Sequence, residues 1–340
     1  MKRIGLMGCG HVATYAHLPS LKNQGGIEVA AIYDPNETNL RIAQETFGVR
    51  NATTDEATFF DNDLDAIVVT SSAPAHKRNV LMAAERGLHV LCEKPLAMND
   101  EDSHEMIAAM EQADRMLFTG FCYRFSPISL QIKELVRQGA IGEVRALRLI
   151  YVWNLHGRWE YTEEGQRIES PRRIGRMLEG GPMVDCGVHQ IDLARFWLGS
   201  EVVRQQAAGA WVEEYQAPDH FWLHMDHATG AHTMVEMSFS YCHTARDPIS
   251  HFSYHLIGTD GLIRYDREGW HLEMRNSRET RVLPGSDEKN FGGMYQAFTH
   301  ALYTGETGYL PSGYDGLVAT RIARTATENV IAAHRPRLGK

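Results

Sequence analysis

Arg3-Ile4-Gly5-Leu6-Met7-Gly8-Cys9-Gly10-His11-Val12-Ala13 opens the chain with a short apolar strand pattern and then the spacing G-x-G-x-x-A. Between a strand and a helix this spacing has a mechanical meaning. Gly8 permits the tight turn, Gly10 lets the backbone approach a pyrophosphate, and Ala13 is small enough for helix and strand to pack closely. The helix N-terminus then offers unpaired N–H groups to the anion, with His11 and Val12 in the same turn. The next strand, Ile27–Tyr33, ends at Asp34, about twenty residues further on, where a carboxylate can accept both ribose hydroxyls of an adenosine. The same charge would repel a 2′-phosphate, so the expected cofactor is NAD rather than NADP. The competing role for Asp34 is to cap the helix that follows.

Outward from this turn, apolar runs at Arg3–Gly8, Ile27–Tyr33, Asp65–Ser71, His89–Cys92 and Met116–Phe121 alternate with helical patterns at His11–Gln24, Asn36–Phe47, His76–Arg86 and Asp100–Ala113. The alternation predicts βαβ units and a parallel sheet, and the continuous run Ala66-Ile67-Val68-Val69 suits a strand covered on both faces. After about Phe121 the rhythm changes. A helix at Ser129–Gln138 leads into a long alternating strand, Gly142–Trp153, and further strands are expected at Phe221–Asp226, His232–Phe239, Ser253–Gly258 and Ile263–Asp266. The fold class is therefore α/β: an N-terminal Rossmann fold over 1–122, then an α/β domain over 123–340 built on a large, mostly antiparallel open sheet. A closing helix spans roughly Tyr314–Ala333.

The 340 residues suit roughly two domains of about 150 residues each. An apolar fraction of 43% and a charged fraction of 23% fit an ordinary globular protein. A net charge of −9 disfavours nucleic acid and anionic membrane as partners. The five cysteines are far apart and form no C-x-x-C pair, as expected of buried thiols in a reducing compartment. The apolar run after Met1-Lys2-Arg3 meets Gly8 and Gly10 too soon for a signal or membrane segment, so the expected location is the cytoplasm. No metal site is expected, because His251 and His255 share one strand face without further ligands.

Two more stretches carry chemistry. Cys92-Glu93-Lys94-Pro95 ends the fifth strand, where ligands bind in such sheets, and a lysine there points into a cleft. Gly180-Gly181-Pro182-Met183-Val184-Asp185-Cys186-Gly187-Val188-His189-Gln190-Ile191-Asp192-Leu193 predicts a helix from about Val184 to Trp197 with Asp185, His189 and Asp192 on one face. Such a face pairs an imidazole with carboxylates, as proton transfer requires, although a local salt bridge has the same spacing.

Together these residues resemble the Gfo/Idh/MocA family (glucose–fructose oxidoreductase, inositol dehydrogenase, rhizopine catabolism). The marks are the N-terminal G-x-G-x-x-A, Glu93-Lys94-Pro95, Arg124-Phe125-Ser126-Pro127 and G-G-x-x-x-D-x-G-x-H-x-x-D from Gly180 to Asp192. The resemblance implies NAD as cofactor and a hydroxylated small molecule as substrate, with Lys94 at substrate and nicotinamide ribose, His189 as proton acceptor and Asp185 orienting it. It implies cofactor contacts from Ser71, Pro74, His76 and Glu93, and substrate contacts from Lys94, Arg124, Trp153, Asp185 and His189. A sheet-mediated homodimer or homotetramer also follows, since an uncovered sheet face would show apolar residues to solvent.

Two departures stand out. Ser170-Pro171-Arg172-Arg173-Ile174-Gly175-Arg176 replaces a tryptophan–arginine segment of many relatives, and Ala75 stands where asparagine is usual. An NAD-retaining glycosidase and a non-catalytic dinucleotide sensor share the same fold signals; net reduction of free NAD separates a dehydrogenase from the first, and the intact Lys94, Asp185 and His189 argue against the second. Tyr151, Trp153, His156 and Trp159 offer aromatic faces suited to a sugar or cyclitol, or to their own core. The arginines from Arg158 to Arg176, interleaved with glutamates, read as a solvated, self-paired loop.

Overall fold

A computed structural model of the chain describes residues 1–154 and 159–334. It divides into two compact units: Met1–Phe125 with Lys289–Thr320, and Ser126–Glu288 with the chain from Arg321 on. The linear reading assigns everything after residue 122 to one domain, whereas Lys289–Thr320 returns to the first unit. Packing explains the return, because Phe298 meets Phe118 edge-on at 6.0 Å and the Thr119 N–H donates to the Pro311 carbonyl at 2.9 Å.

The first unit holds six parallel strands: β1 (Lys2–Met7), β2 (Ile27–Tyr33), β3 (Asn51–Thr53), β4 (Ala66–Val69), β5 (His89–Cys92) and β6 (Leu117–Thr119). Their order, β3-β2-β1-β4-β5-β6, reverses direction between β1 and β4, and that switch opens a ligand crevice at the strands' C-terminal ends. All four residues of β4 are 0% exposed, because helices cover both faces. These helices are α1 (Leu18–Lys22), α2 (Glu37–Phe47), α3 (Glu56–Phe60), α4 (Ala73–Glu85) and α5 (Asp100–Gln112). Val80 and Ala83 of α4 and Met106 and Met110 of α5 share one core with Ile67, Val69, Val90 and Cys92.

The helix expected over His11–Gln24 is not one regular helix. A π turn, Ala13–His17, precedes the short α1. Pro19 near the start of α1 has no N–H to give back along the ladder, and the turn before it widens. The widened turn buries His17 completely.

In the second unit, α6 (Pro127–Arg137) precedes β7 (Val144–Val152), and a hairpin of β8 (Trp159–Tyr161) and β9 (Arg167–Glu169) precedes α7 (Pro171–Leu178). A second π turn, Met183–Gly187, runs into α8 (Val188–Leu198). Then come β10 (Val202–Ala210), β11 (His220–His227), β12 (His232–Ser238), β13 (His251–Gly258), β14 (Gly261–Asp266), β15 (His271–Asn276) and β16 (Thr280–Pro284). The eight-stranded order is β10-β11-β12-β7-β13-β14-β15-β16; β7 pairs parallel with β12, and the other pairs are antiparallel. Helices α9 (Phe291–Thr304) and α10 (Gly313–His334) complete the described chain.

Register makes the two sheet faces different. Leu223, Val235, Leu149, Tyr254, Tyr265 and Leu272 stand side by side across six strands, each at most 1% exposed. One residue along, the row reads His224, Met234, Arg148, His255, Arg264 and Glu273. The opposite face therefore carries charge and imidazole. This differs from the expected apolar alternation, and pairs such as His220–Glu236 at 3.2 Å and Arg275–Glu273 at 2.9 Å neutralise it locally.

Helix α8 is buried from Val188 to Trp197. Trp197 closes its inner end: the indole N–H donates to the Ser129 carbonyl and hydroxyl, both at 3.1 Å, and its ring meets Tyr254 edge-on at 5.0 Å. Trp197→Ala should destabilise the second unit by about 3–5 kcal/mol through the cavity left behind. Urea unfolding followed by circular dichroism checks this, and an unchanged midpoint would contradict the packing described.

Candidate active site

In the first unit the glycine turn sits at the end of β1. Gly8 has φ +104°, and a Cβ there would lie 2.6 Å from the Ser71 Cα and closer still to its amide nitrogen. Only glycine fits. At Gly10 the corresponding position meets nothing within 4 Å, which leaves open space over the backbone where a phosphate must come close. Ala13 is 0% exposed, wedged where helix meets strand. His11 is exposed and stacks on Tyr15 at 5.6 Å, while Val12 is half-buried.

Asp34, 7% exposed, accepts the Cys9 N–H at 2.7 Å and the Asn36 N–H at 2.8 Å. The cap of α2 is Asn36, whose side chain accepts the Asn39 N–H at 3.0 Å, so Asp34 is not the capping residue. Its carboxylate ties the glycine turn to the end of β2, and two such bonds leave lone pairs for further donors. Burial first, and then the charge of Asp34, push the Cys9 thiol up to about 12, so it stays protonated beside that carboxylate. An open glycine, an N-terminal helical turn and an acidic residue at the end of β2 fit a dinucleotide with free ribose hydroxyls.

The loop after β4 is fastened from below. Ser71 accepts the Asn79 side-chain N–H at 3.0 Å, and exposed Pro74 lies in the first turn of α4. His76 is 1% exposed, with Nε2 3.0 Å from the Ser71 carbonyl and Nδ1 3.0 Å from that of Pro95. Burial pushes this imidazole down while the carbonyls pull it up. His76 thus stands between the loop after β4 and the one after β5, its single ring N–H donating to one of the two carbonyls; in the second loop Glu93 is 5% exposed and Lys94 half-buried. Arg124, 6% exposed, is also in this unit, ion-paired to Asp315 at 3.2 Å and donating to the Tyr309 carbonyl at 3.4 Å.

In the second unit the π turn carries Asp185, 8% exposed, and α8 carries His189 at 6% and Asp192 at 1%. Arg176 stands 3.6 Å from Asp185 and 2.9 Å from Glu179; the Asp185 carboxylate holds its guanidinium above the usual range. Cys186 donates to Asp185 at 3.6 Å. The arginine-rich segment is solvated only in part: Arg167 and Arg172 are exposed and Arg176 pairs with Glu179, but Arg173 is 0% exposed and bonds Asn154 at 3.3 Å and Ser240; Arg158 lies outside the described residues. Trp153 stacks on Tyr151 at 5.0 Å, and its indole N–H has no hydrogen-bond partner among the described residues. His156 lies outside the described residues.

Within each unit the expected residues gather as two sets: Gly8, Gly10, Asp34, Ser71, His76, Glu93 and Lys94 in the first, Asp185, His189 and Trp153 in the second. Two contributors take roles the sequence did not point to. Arg176 reaches Asp185 from α7, and His17 reaches Glu93 from the π turn after the glycines.

Residues 2–121 match the family model described as an oxidoreductase family with an NAD-binding Rossmann fold, and residues 129–264 match the GFO/IDH/MocA C-terminal domain. Among curated proteins, myo-inositol 2-dehydrogenase of Thermotoga maritima is 34% identical over 61% of this chain and 58% of its own length. D-apiose dehydrogenase of Paraburkholderia graminis is 28% identical over 82% of this chain and 70% of its own. An Agrobacterium radiobacter oxidoreductase solved with NAD+, L-tartaric acid and magnesium superposes with a TM-score of 0.82 at 24% identity, over 98% of this chain and 99% of that one; at this identity the likeness is one of fold.

The Asp34 carboxylate sets an expectation for cofactor choice. NADH should bind more tightly than NADPH by about tenfold or more, the equivalent of roughly 1.4 kcal/mol, since a 2′-phosphate would face this charge. Fluorescence titration of both at equal ionic strength checks it; tighter NADPH would remove Asp34 from the role.

Proposed function

Because the chain belongs to the Gfo/Idh/MocA oxidoreductase family, we propose that it is an NAD-dependent dehydrogenase of a sugar, cyclitol or related polyol, acting through Lys94, Asp185 and His189. The observation that carries this reading is that Asp185, in the π turn, and His189, four residues on at the start of α8, are both buried, in a chain whose other unit is a Rossmann domain with Lys94 at the end of β5. The inositol and apiose dehydrogenases among its relatives supply the substrate class.

Oxidising a secondary alcohol sends a hydride to the nicotinamide and a proton to a base. His189 is the base, since an imidazole changes protonation near neutral pH. Asp185 orients it and is itself held by Arg176. The Lys94 ammonium stabilises negative charge as it develops on the substrate oxygen. Gly8, Gly10, His11, Val12 and Asp34 hold the dinucleotide, Ser71 and Pro74 line its loop, and buried His76 and Glu93 keep that loop and Lys94 in place. On the substrate side, the Trp153 face suits the C–H face of a sugar ring, and Arg124 contributes donors.

A panel of sugars, cyclitols and sugar acids, scanned for absorbance of reduced cofactor, tests the class. Net reduction of free NAD marks a dehydrogenase, while product formation without it marks a cofactor-recycling glycosidase. On the substrate so found, Lys94→Ala and His189→Ala should each lower turnover by about a hundredfold or more while NADH binding changes far less. His189→Ala should also flatten the acid limb of the pH–rate profile. Near-parental turnover in both variants would refute the assignment.

The reading also extends to assembly through the open sheet face. With Arg148, Arg264, Glu273 and the imidazoles on that face, pairing would rest on charge as much as on apolar area. Light scattering should return a multiple of 38.3 kDa that falls as salt is raised, and a monomer mass at micromolar protein would count against it.

A further inference from the structure

We propose that His17 and Tyr295 are positioning residues for Lys94, acting through the side chain of Glu93; this rests on the reading of Lys94 as a catalytic group. The three side chains form one buried relay in the first unit. Tyr295, on α9, and His17, at the end of the π turn, are each 0% exposed, and the Glu93 side chain is 7% exposed. His17 Nδ1 lies 2.5 Å from the Tyr295 hydroxyl, and its Nε2 lies 3.0 Å from Glu93 Oε1.

The donor assignment follows from chemistry. A carboxylate only accepts, so Nε2 carries the proton, and in the neutral ring Nδ1 then accepts the Tyr295 O–H. Burial pushes the Tyr295 hydroxyl well above its ordinary range, so it keeps the proton it donates. Glu93 Oε2, the other carboxylate oxygen, accepts the backbone N–H of Lys94 at 3.2 Å. A hydrogen-bonded path thus runs from α9, through the turn that follows the glycines, to the backbone of Lys94.

The surroundings allow little else. The Glu93 N–H donates to the Val69 carbonyl at 2.8 Å, and the Gly120 N–H to the Cys92 carbonyl at 2.7 Å, which fixes the main chain on both sides. A Cβ at Gly120 would stand 2.7 Å from Glu93 Oε1, so the carboxylate occupies the space a side chain would take. Phe291 meets the His17 ring edge-on at 5.0 Å. His76 of α4, Cys92, Cys122 and Tyr295 all feel the charge of Glu93, and Cys122 feels Lys94 and Lys289 as well.

A buried carboxylate, imidazole and phenol add little net stability, because each must first be taken out of water. What they provide is direction. With His17 in place the Glu93 charge has one position, and Lys94 keeps both its backbone anchor and a fixed carboxylate beside it. Without His17, Oε1 loses this donor, the Glu93 carboxylate is held less firmly, and the backbone anchor of Lys94 loosens.

The test uses the full chain with His17→Leu, His17→Gln and Tyr295→Phe. Four quantities are read: thermal melting, NADH affinity by fluorescence, acetic anhydride labelling of Lys94 relative to exposed Lys22 by mass spectrometry, and kcat and KM on the substrate found by the panel. His17→Leu should lose roughly tenfold to a hundredfold in kcat, the scale of a small misplacement of a catalytic group. Its NADH affinity and its KM for NAD should stay within about twofold, as expected when binding is untouched. Lys94 should label several-fold faster, because a half-buried amine released from its anchored backbone becomes more accessible to the reagent. His17→Gln, whose amide can still donate to Glu93, should recover much of the loss, and Tyr295→Phe should fall between.

A folded His17→Leu with parental labelling and kcat overturns the proposal. So does a loss spread equally over melting, NADH affinity and kcat that His17→Gln does not rescue, which marks a purely structural role. If His17→Leu does not fold, Tyr295→Phe decides on the same readouts, since it removes one hydroxyl and keeps the ring. If no compound is turned over, the dehydrogenase reading fails on its own, and Lys94 labelling still decides the relay.

Discussion

At the ends of β1 and β4 two loops come together so closely that a side chain cannot stand between them. Gly8 lies against Ser71, and the Thr70 hydroxyl donates to the Gly8 carbonyl at 2.6 Å. This approach lets the glycine turn, the β4 loop and the β5 loop act as one piece. His76 carries the connection from Ser71 to Pro95, next to Lys94, and Asp34 carries it back to the end of β2 through the Cys9 N–H. A dinucleotide crevice at the switch point depends on that piece being rigid, since its N–H groups must already point where the anion will sit.

The two candidate half-sites share a local device. In each unit a π turn precedes a helix next to the candidate residues, Ala13–His17 before α1 in one and Met183–Gly187 before α8 in the other. An i→i+5 turn is a costly way to start a helix, and such turns concentrate where function demands a side-chain direction that an α-turn does not offer. In the first unit the turn delivers His17 to Glu93, and in the second it holds Asp185 next to Arg176. Gly187 belongs to the same economy of space, because a Cβ there would press on Met183 and Met237.

Charge is distributed on the same principle. Asp34, Glu93, Asp185 and His189 are each under 9% exposed, and the neighbours described for Asp34, Glu93 and Asp185 are backbone N–H groups, an imidazole, a guanidinium and a thiol. The polar sheet face instead leaves Arg148, His224 and Arg264 exposed, where a single ion pair is worth little, while Glu273 between them is buried.

What the sequence determined by itself is the part that depends on neighbours along the chain. The Rossmann order follows from alternating strands and helices, the glycine turn from its spacing, and Asp34 from its place at the end of β2; the helix expected from Val184 instead opens with the π turn Met183–Gly187, which carries Asp185. Local sterics and hydrogen bonding decide the order, the turn and the place of Asp34, so they are legible in a string of residues. Tertiary structure alone decided the rest. Tyr295 lies 278 positions from His17, and Arg176 reaches Asp185 from a separate helix, so no periodicity connects them. The return of Lys289–Thr320 to the first unit, the polar character of the open sheet face and the burial of Arg173 were equally hidden. Each depends on which surfaces meet once the chain is compact, and that is a property of packing rather than of spacing.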